Sequence, residues 1–225
     1  ERNDARLYFK EYAMKAGVKC IDTEVTSLNT NKDNGELDSV ETTIGNISAD
    51  FWVDCSGFAR VLIGPMGGGW KSYEEYLPTN SAIPYIHQYE TGESPKLETL
   101  AWAMPNGWMW QIPTQERYGC GYVYSDNHTT YDKALDELIK NTGRNIEPIR
   151  NLKFEAGRVK NFWSKNVVAI GLASGFLEPL QATSIHSTLV QLDLFAYHYF
   201  SSDLSNIDFE TSPKAYNKTI GKMWD

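Results

Sequence analysis

The sequence predicts an α/β fold of the mixed α+β kind, with a mixed sheet and an antiparallel meander. Three observations carry this. An apolar run, a small-residue turn and a helical pattern follow one another from Asn166 to His186. Asn34-Gly35 and Gly45-Asn46 separate β-rich runs near the start of the chain. Two sets of apolar residues, Ala5 to Ala16 and Tyr131 to Ile139, recur at helical spacing.

Taken in order, Ala5, Tyr8, Phe9, Tyr12, Ala13 and Ala16 predict an amphipathic helix with Gly17 as its stop. Val18–Leu28, Glu36–Thr43 and Ile47–Asp54 predict the three strands of the meander. Gly64 to Gly69, with Pro65, predicts a loop that lacks the GxxxxGK[ST] pattern of a phosphate cradle. Leu100–Met104, Trp108–Ile112 and Tyr118–Tyr124 predict further strands, the first two joined by Pro105-Asn106-Gly107. Strand alternation puts Trp108 and Trp110 on one face, as a ligand-pocket wall or as core. A second helix is expected from Tyr131 to near Gly143, and a strand over Leu152–Val159. Val167–Ile170 predicts a buried strand and Gly171–Gly175 a tight turn. The next helix starts near Leu180 to Thr183, with Ile185, Leu189, Leu192, Ala196 and Tyr199 as its apolar face.

Composition narrows the classes of function. The 225 residues suffice for one large domain or two small ones, and the net charge of −8, with no basic cluster, argues against a nucleic-acid surface. No apolar run approaches the ~20 residues of a membrane span, and no signal peptide is visible. Cys20, Cys55 and Cys120 are odd in number and far apart, as are the four histidines. These patterns predict a soluble cytoplasmic protein with reduced thiols and no metal site. The chain opens inside a helix entry and closes at Trp224-Asp225 within a further helical segment, and so reads as a piece of a longer protein.

Two places suit a ligand. The start of the helix after Pro179 leaves backbone N–H groups without partners at the positive end of the helix dipole, which favours an anion. The strand exit Val53-Asp54-Cys55-Ser56-Gly57-Phe58 and the turn Gly171–Gly175 let a flat ligand approach the backbone. Both patterns also suit ordinary packing turns, and the spacing leaves the alternatives open.

Three segments together resemble the flavin-dependent tryptophan halogenase family. Trp108-Met109-Trp110-Gln111-Ile112-Pro113 matches the family's WxWxIP signature. Gly171 to His186 is similar to its "GLASGFLEPLESTSIH" block, and Val53 to Phe58 to its "DCSGF" strand exit. Order and approximate spacing agree along nearly the whole chain. The resemblance implies a fragment of an aromatic-hydroxylase-like FAD-binding fold. The family's GxGxxG unit and essential lysine would lie upstream, and much of the substrate pocket downstream.

The resemblance also implies roles. Reduced FAD from a separate flavin reductase, oxygen and chloride or bromide would yield a hypohalous species that travels inside the protein to a small electron-rich aromatic, an indole or phenol. Asp54, Ser56, Gly57, Gly171, Ala173 and Gly175 would lie along FAD, and Thr183 and Ser184 would hold the halide. Trp108, Trp110, Ile112 and Pro113 would form the barrier between flavin and substrate. Residues 1–64 would form a flavin-domain helix and meander, 65–160 a substrate-side sheet and helix, and 161–225 the flavin and halide loop with its helix. The sequence departs from the family at Gln181, where the family's acid is Glu; an amide hydrogen-bonds but cannot take up a proton as a carboxylate does. Gln181 and Glu178, three residues earlier, are therefore the candidate catalytic pair. Gln181 also keeps open an FAD monooxygenase-like or impaired homologue, and the aromatic wall by itself would suit a binding module without redox chemistry.

Overall fold

The computed structural model describes residues 2–178, 180, 183–196 and 211–225. The chain divides between Phe51 and Trp52 into two compact units.

In the first unit, helix α1 (Arg2–Lys15) is followed by strands β1 (Val25–Thr30), β2 (Leu37–Thr42) and β3 (Gly45–Ser48). The strands form the expected antiparallel meander in the order β1-β2-β3. Its first turn is organised by Asn31, whose Oδ1 accepts from the backbone N–H groups of Asp33 and Asn34. Two departures from the sequence reading stand out. The predicted apolar face of α1 is exposed, with Tyr8, Phe9 and Tyr12 all open. The third predicted strand, Ile47–Asp54, splits in two: only Gly45–Ser48 joins the meander, and Trp52–Asp54 enters a different sheet.

The second unit holds the remaining strands: β4 (Trp52–Asp54), β5 (Lys71–Ser72), β6 (Ser81–Gln88), β7 (Leu100–Met104), β8 (Gly107–Pro113), β9 (Arg117–Tyr124), β10 (Leu152–Lys153), β11 (Gly157–Arg158), β12 (Trp163–Ser164), β13 (Val167–Ala169) and β14 (Gly175–Phe176). It also holds helices α2 (Tyr131–Thr142), α3 (Thr183–Phe195) and α4 (Ser212–Trp224). A five-stranded antiparallel sheet runs β10-β6-β9-β8-β7. Its strand β6, over a stretch for which the sequence reading proposes no element, carries Pro84 in its middle. The proline is tolerated where the partner β10 pairs only with Ser81 and Ala82; on that side its carbonyl still accepts from Ile149 N–H at 2.9 Å. The predicted strand Leu152–Val159 is likewise two short pieces, β10 and β11, in separate sheets.

Helix α2 stops at Gly143 as its sequence implies, with Gly143 N–H bonding Ile139 O, and it starts at an N-cap that the structure adds, Thr130 Oγ1 accepting from the Lys133 N–H. It packs Ala134 and Leu138 on Tyr85, Met109, Tyr118, Cys120 and Tyr122, which share one face of the five-stranded sheet by alternation. The expected loop Gly64–Gly69 is a wide helical turn over Gly64–Gly68. No helix among the described residues is long and apolar enough to cross a membrane.

A small mixed sheet positions the rest. β12 pairs antiparallel with β13, and β13 pairs parallel with β4, setting Ala169 beside Asp54. The predicted buried strand is β13, whose three residues are all fully buried.

Candidate functional site

The site starts where the parallel strands β4 and β13 end together, the edge at which open α/β sheets receive ligands. Ile170 N–H bonds Asp54 O at 3.0 Å and carries the pairing to the turns. Each exit contains a glycine in the left-handed region, Gly57 at φ +71° and Gly171 at φ +69°. A side chain at Gly57 would meet no atom within 4 Å, and one at Gly171 only Thr188, nearest at 3.6 Å. The backbone on both exits is therefore open to a flat ligand, while its conformation excludes ordinary side chains.

The Asp54 carboxylate builds the first exit. Oδ1 accepts from Ser56 N–H at 2.9 Å and Ser56 Oγ at 2.6 Å; Oδ2 accepts from Leu62 N–H at 2.9 Å and Ile63 N–H at 2.8 Å. Ser56 Oγ in turn accepts from Val61 N–H at 2.8 Å. Asp54 and Ser56 thus face the protein, and Gly57 presents the open backbone. Nearby, the Arg60 guanidinium lies 3.7 Å from the Trp70 ring centroid, and its burial lowers its pKa.

The second exit is tied to α3 by a residue that the sequence reading passed over. Gln191 is fully buried, its Oε1 accepting from Gly171 N–H at 3.2 Å and its Nε2 lying 2.9 Å from Ser174 Oγ. Ser174 Oγ donates to Gly171 O at 2.6 Å. Of the three positions expected here, Gly171 is open, Ala173 is buried, and Gly175 lies in β14 with Trp224 Cη2 2.8 Å from where its Cβ would stand.

Gln191 belongs to the buried face of α3, the reverse of the face expected from the sequence. The predicted apolar face points outward, with Ile185 65% and Leu189 60% exposed, and Leu192 and Ala196 open as well. Ser187, Gln191 and Phe195, spaced by four, are the buried face. A glutamine whose oxygen and nitrogen both find internal partners can replace an apolar contact, and Phe195 stacks edge-on with Trp163 and Tyr216. Tyr199, the last residue of the predicted face, lies outside the described residues.

Thr183 and Ser184 are the first two residues of α3, half-buried, with no acidic side chain in its first turn. Ser184 O accepts from Thr188 Oγ1 at 2.7 Å and Ser187 Oγ at 3.0 Å, but the first N–H groups of a helix have no intrahelical acceptor. Gln181 lies outside the described residues. Glu178 is half-buried beside the Trp108 indole; burial raises its pKa, and the indole N–H partly opposes that rise. That N–H is buried and falls short of a complete hydrogen bond.

Trp108 and Trp110 share a face of β8, as alternation predicts, with ring centroids 6.0 Å apart and planes tilted by 57°. Ile112 is on the same face, and Pro113, paired with Tyr118, alternates to the α2 side. The structure thus brings Trp108 to Glu178 and leaves Pro113 apart. A cavity of about 540 Å³ lies elsewhere, against Lys71, Tyr73, Leu177, Trp224 and Asp225, and contains none of the expected site residues. Lys71 there is ion-paired to Asp225 at 2.6 Å, a pairing across 154 positions that no local pattern signals.

Solved structures give the class first. Over 96% of this chain and 44% of its own, BrvH, a flavin-dependent halogenase from Brevundimonas sp. BAL3, superposes with a TM-score of 0.87 at 31% identity. The tryptophan 6-halogenase SttH from Streptomyces toxytricini superposes with a TM-score of 0.86 at 30% identity, over 95% and 42%. The fold is thus the FAD-binding fold of flavin-dependent halogenases. The chain belongs to the tryptophan halogenase family, whose family model matches residues 2–225. Among curated relatives, tryptophan 7-halogenase RebH from Lentzea aerocolonigenes is 31% identical over 216 residues, covering 94% of this chain and 40% of the relative. The chain spans about two fifths of the relatives' length.

Proposed function

We propose that this chain is the flavin- and halide-facing part of a flavin-dependent halogenase acting on an electron-rich aromatic, an indole or phenol. The observation that carries the reading is the paired exit of β4 and β13, where Gly57 and Gly171 leave open backbone, tied through Gln191 to the helix that starts at Thr183. The residues present fit a flavin: a flat ring system can lie against backbone that carries no side chain. When bound, reduced FAD supplies the two-electron activation of oxygen that oxidises chloride or bromide.

The chain's own residues would do the following. Gly57 and Gly171 would seat the cofactor, with Asp54 and Ser56 fixing the first turn and Ser174 the second. The N–H groups at Thr183 and Ser184 would hold the halide. Trp108 and Trp110 would separate flavin from substrate. Glu178, its carboxyl protonated to higher pH than that of an exposed glutamate, would supply or take up the proton that Gln181 cannot. A separate reductase would deliver the reduced flavin.

Gln181 favours a second reading, a flavin monooxygenase-like or impaired homologue. Both are tested by mass spectrometry of an indole and phenol panel incubated with the full-length protein, reduced FAD, oxygen and chloride or bromide, alongside Gln181→Glu and Glu178→Gln. A bromide-dependent mass gain with native Gln181, lost in Glu178→Gln, is the expected result. Product from Gln181→Glu alone would mark an impaired homologue. FAD retention with no halogenated product from either would refute halogenation.

A further inference from the structure

The face of the five-stranded sheet that carries the two indoles is paved with small residues. Across it, register places Pro84, Gly121, Trp110 and Ala101 in one row, and Ala82, Val123, Trp108 and Ala103 in the next. The rows differ at the β9 position, Gly121 against Val123. A Cβ built on Gly121 would stand 2.0 Å from Trp110 Cη2, 2.2 Å from Cζ2 and 2.7 Å from Cζ3. The six-membered ring of Trp110 therefore lies on the Gly121 backbone itself. The Val123 side chain denies Trp108 the same seat, and the two rings end tilted by 57° at 6.0 Å.

We infer that Gly121 is the positioning residue of the indole wall: by leaving its place on β9 empty it lets Trp110 lie down on the sheet. The height of the wall sets how large an aromatic ring can sit beside it. Substitution at Gly121 makes Trp110 stand up and narrows the site. The size consequence rests on the reading of Trp108 and Trp110 as a substrate-side wall; the ring placement does not.

The test uses the full-length protein and two readouts. The first is the far-ultraviolet exciton couplet of the Trp108–Trp110 pair, isolated as the circular-dichroism difference between wild type and Trp110→Phe. Gly121→Ala is expected to abolish or invert this couplet while the thermal midpoint stays near that of the wild type. The second is selectivity between a bicyclic and a monocyclic aromatic substrate, expected to shift by about tenfold or more toward the smaller ring in Gly121→Ala and to return in Gly121→Ala/Trp110→Phe. An unchanged couplet in folded Gly121→Ala overturns the placement. A changed couplet with unchanged selectivity overturns the wall's role and leaves the placement standing. Should Gly121→Ala fail to fold, recovery of folding in Gly121→Ala/Trp110→Phe supports the close approach, and continued failure overturns it by showing that the strand itself needs the glycine.

Discussion

Replacing Asp54 tests whether one buried carboxylate builds the first ligand-facing turn. Its two oxygens accept four hydrogen bonds, two from Ser56 and one each from the Leu62 and Ile63 N–H groups. In Asp54→Asn one oxygen becomes an amino group, which accepts nothing. If that group faced Leu62 and Ile63, two backbone donors would be stranded, one of them at a fully buried residue. If it faced Ser56, only the Ser56 N–H would lose its partner, because the hydroxyl can turn to accept. The second arrangement is cheaper, and Asp54→Asn should destabilise by roughly 1–3 kcal/mol, the cost of one unsatisfied donor. Asp54→Ala strands the Ser56, Leu62 and Ile63 N–H groups together and should cost roughly 3–9 kcal/mol on the same scale. Chemical denaturation of the full-length protein gives the totals, and amide hydrogen exchange at residues 62 and 63 reads the turn directly. Protection there should fall about tenfold for each 1.4 kcal/mol of local loss in Asp54→Ala, with a smaller change in Asp54→Asn. Wild-type midpoints and wild-type protection in Asp54→Ala would refute the reasoning.

Other consequences follow from the same contacts. Because burial raises the Glu178 carboxyl above its ordinary range, the folded chain binds more protons than the unfolded one between the two pKa values, and stability falls as pH rises through that window. Glu178→Gln should remove that slope; denaturation midpoints whose difference from wild type does not vary with pH would contradict it. Asp225 behaves oppositely: Arg158, then Lys71, hold its carboxyl well below the usual range, so its contribution is present above the ordinary carboxylate pKa and lost as pH falls through the lowered one. Asp225→Asn should therefore weaken the protein at neutral pH and converge with wild type in strong acid, an effect kept small because the Asp225 side chain is 43% exposed. Gln191→Leu strands the Gly171 N–H and should cost roughly 1–3 kcal/mol in denaturation and loosen FAD retention. Retention equal to wild type would separate Gln191 from the cofactor turn.

Local patterns were legible where local chemistry decides them. The α2 stop at Gly143, the meander turn at Asn34-Gly35, and the alternation that puts both indoles of β8 on one face all follow from residues a few positions apart. Family membership was legible too, because WxWxIP, the strand exit at Asp54 and the block from Gly171 to His186 are contiguous strings. Among what was not legible, the face of α3 is the clearest case. Periodicity ranks Ile185, Leu189 and Leu192 as the buried stripe, yet the glutamine between them is what goes inside, since its worth depends on partners at Gly171 and Ser174 that no spacing within the helix can show.

The sequence by itself thus determined the hairpin turns, the α2 stop, the alternation and the family, all consequences of near neighbours and of strings that can be read along the chain. Only the tertiary structure decided that the predicted third strand breaks in two, that Pro84 has a place in a sheet, that Glu178 stands beside Trp108, and that Trp110 rests on Gly121. The physical reason is the same in each. Whether a polar group can be buried, or a ring laid flat, depends on what stands opposite it, and that partner belongs to another strand or segment of the chain.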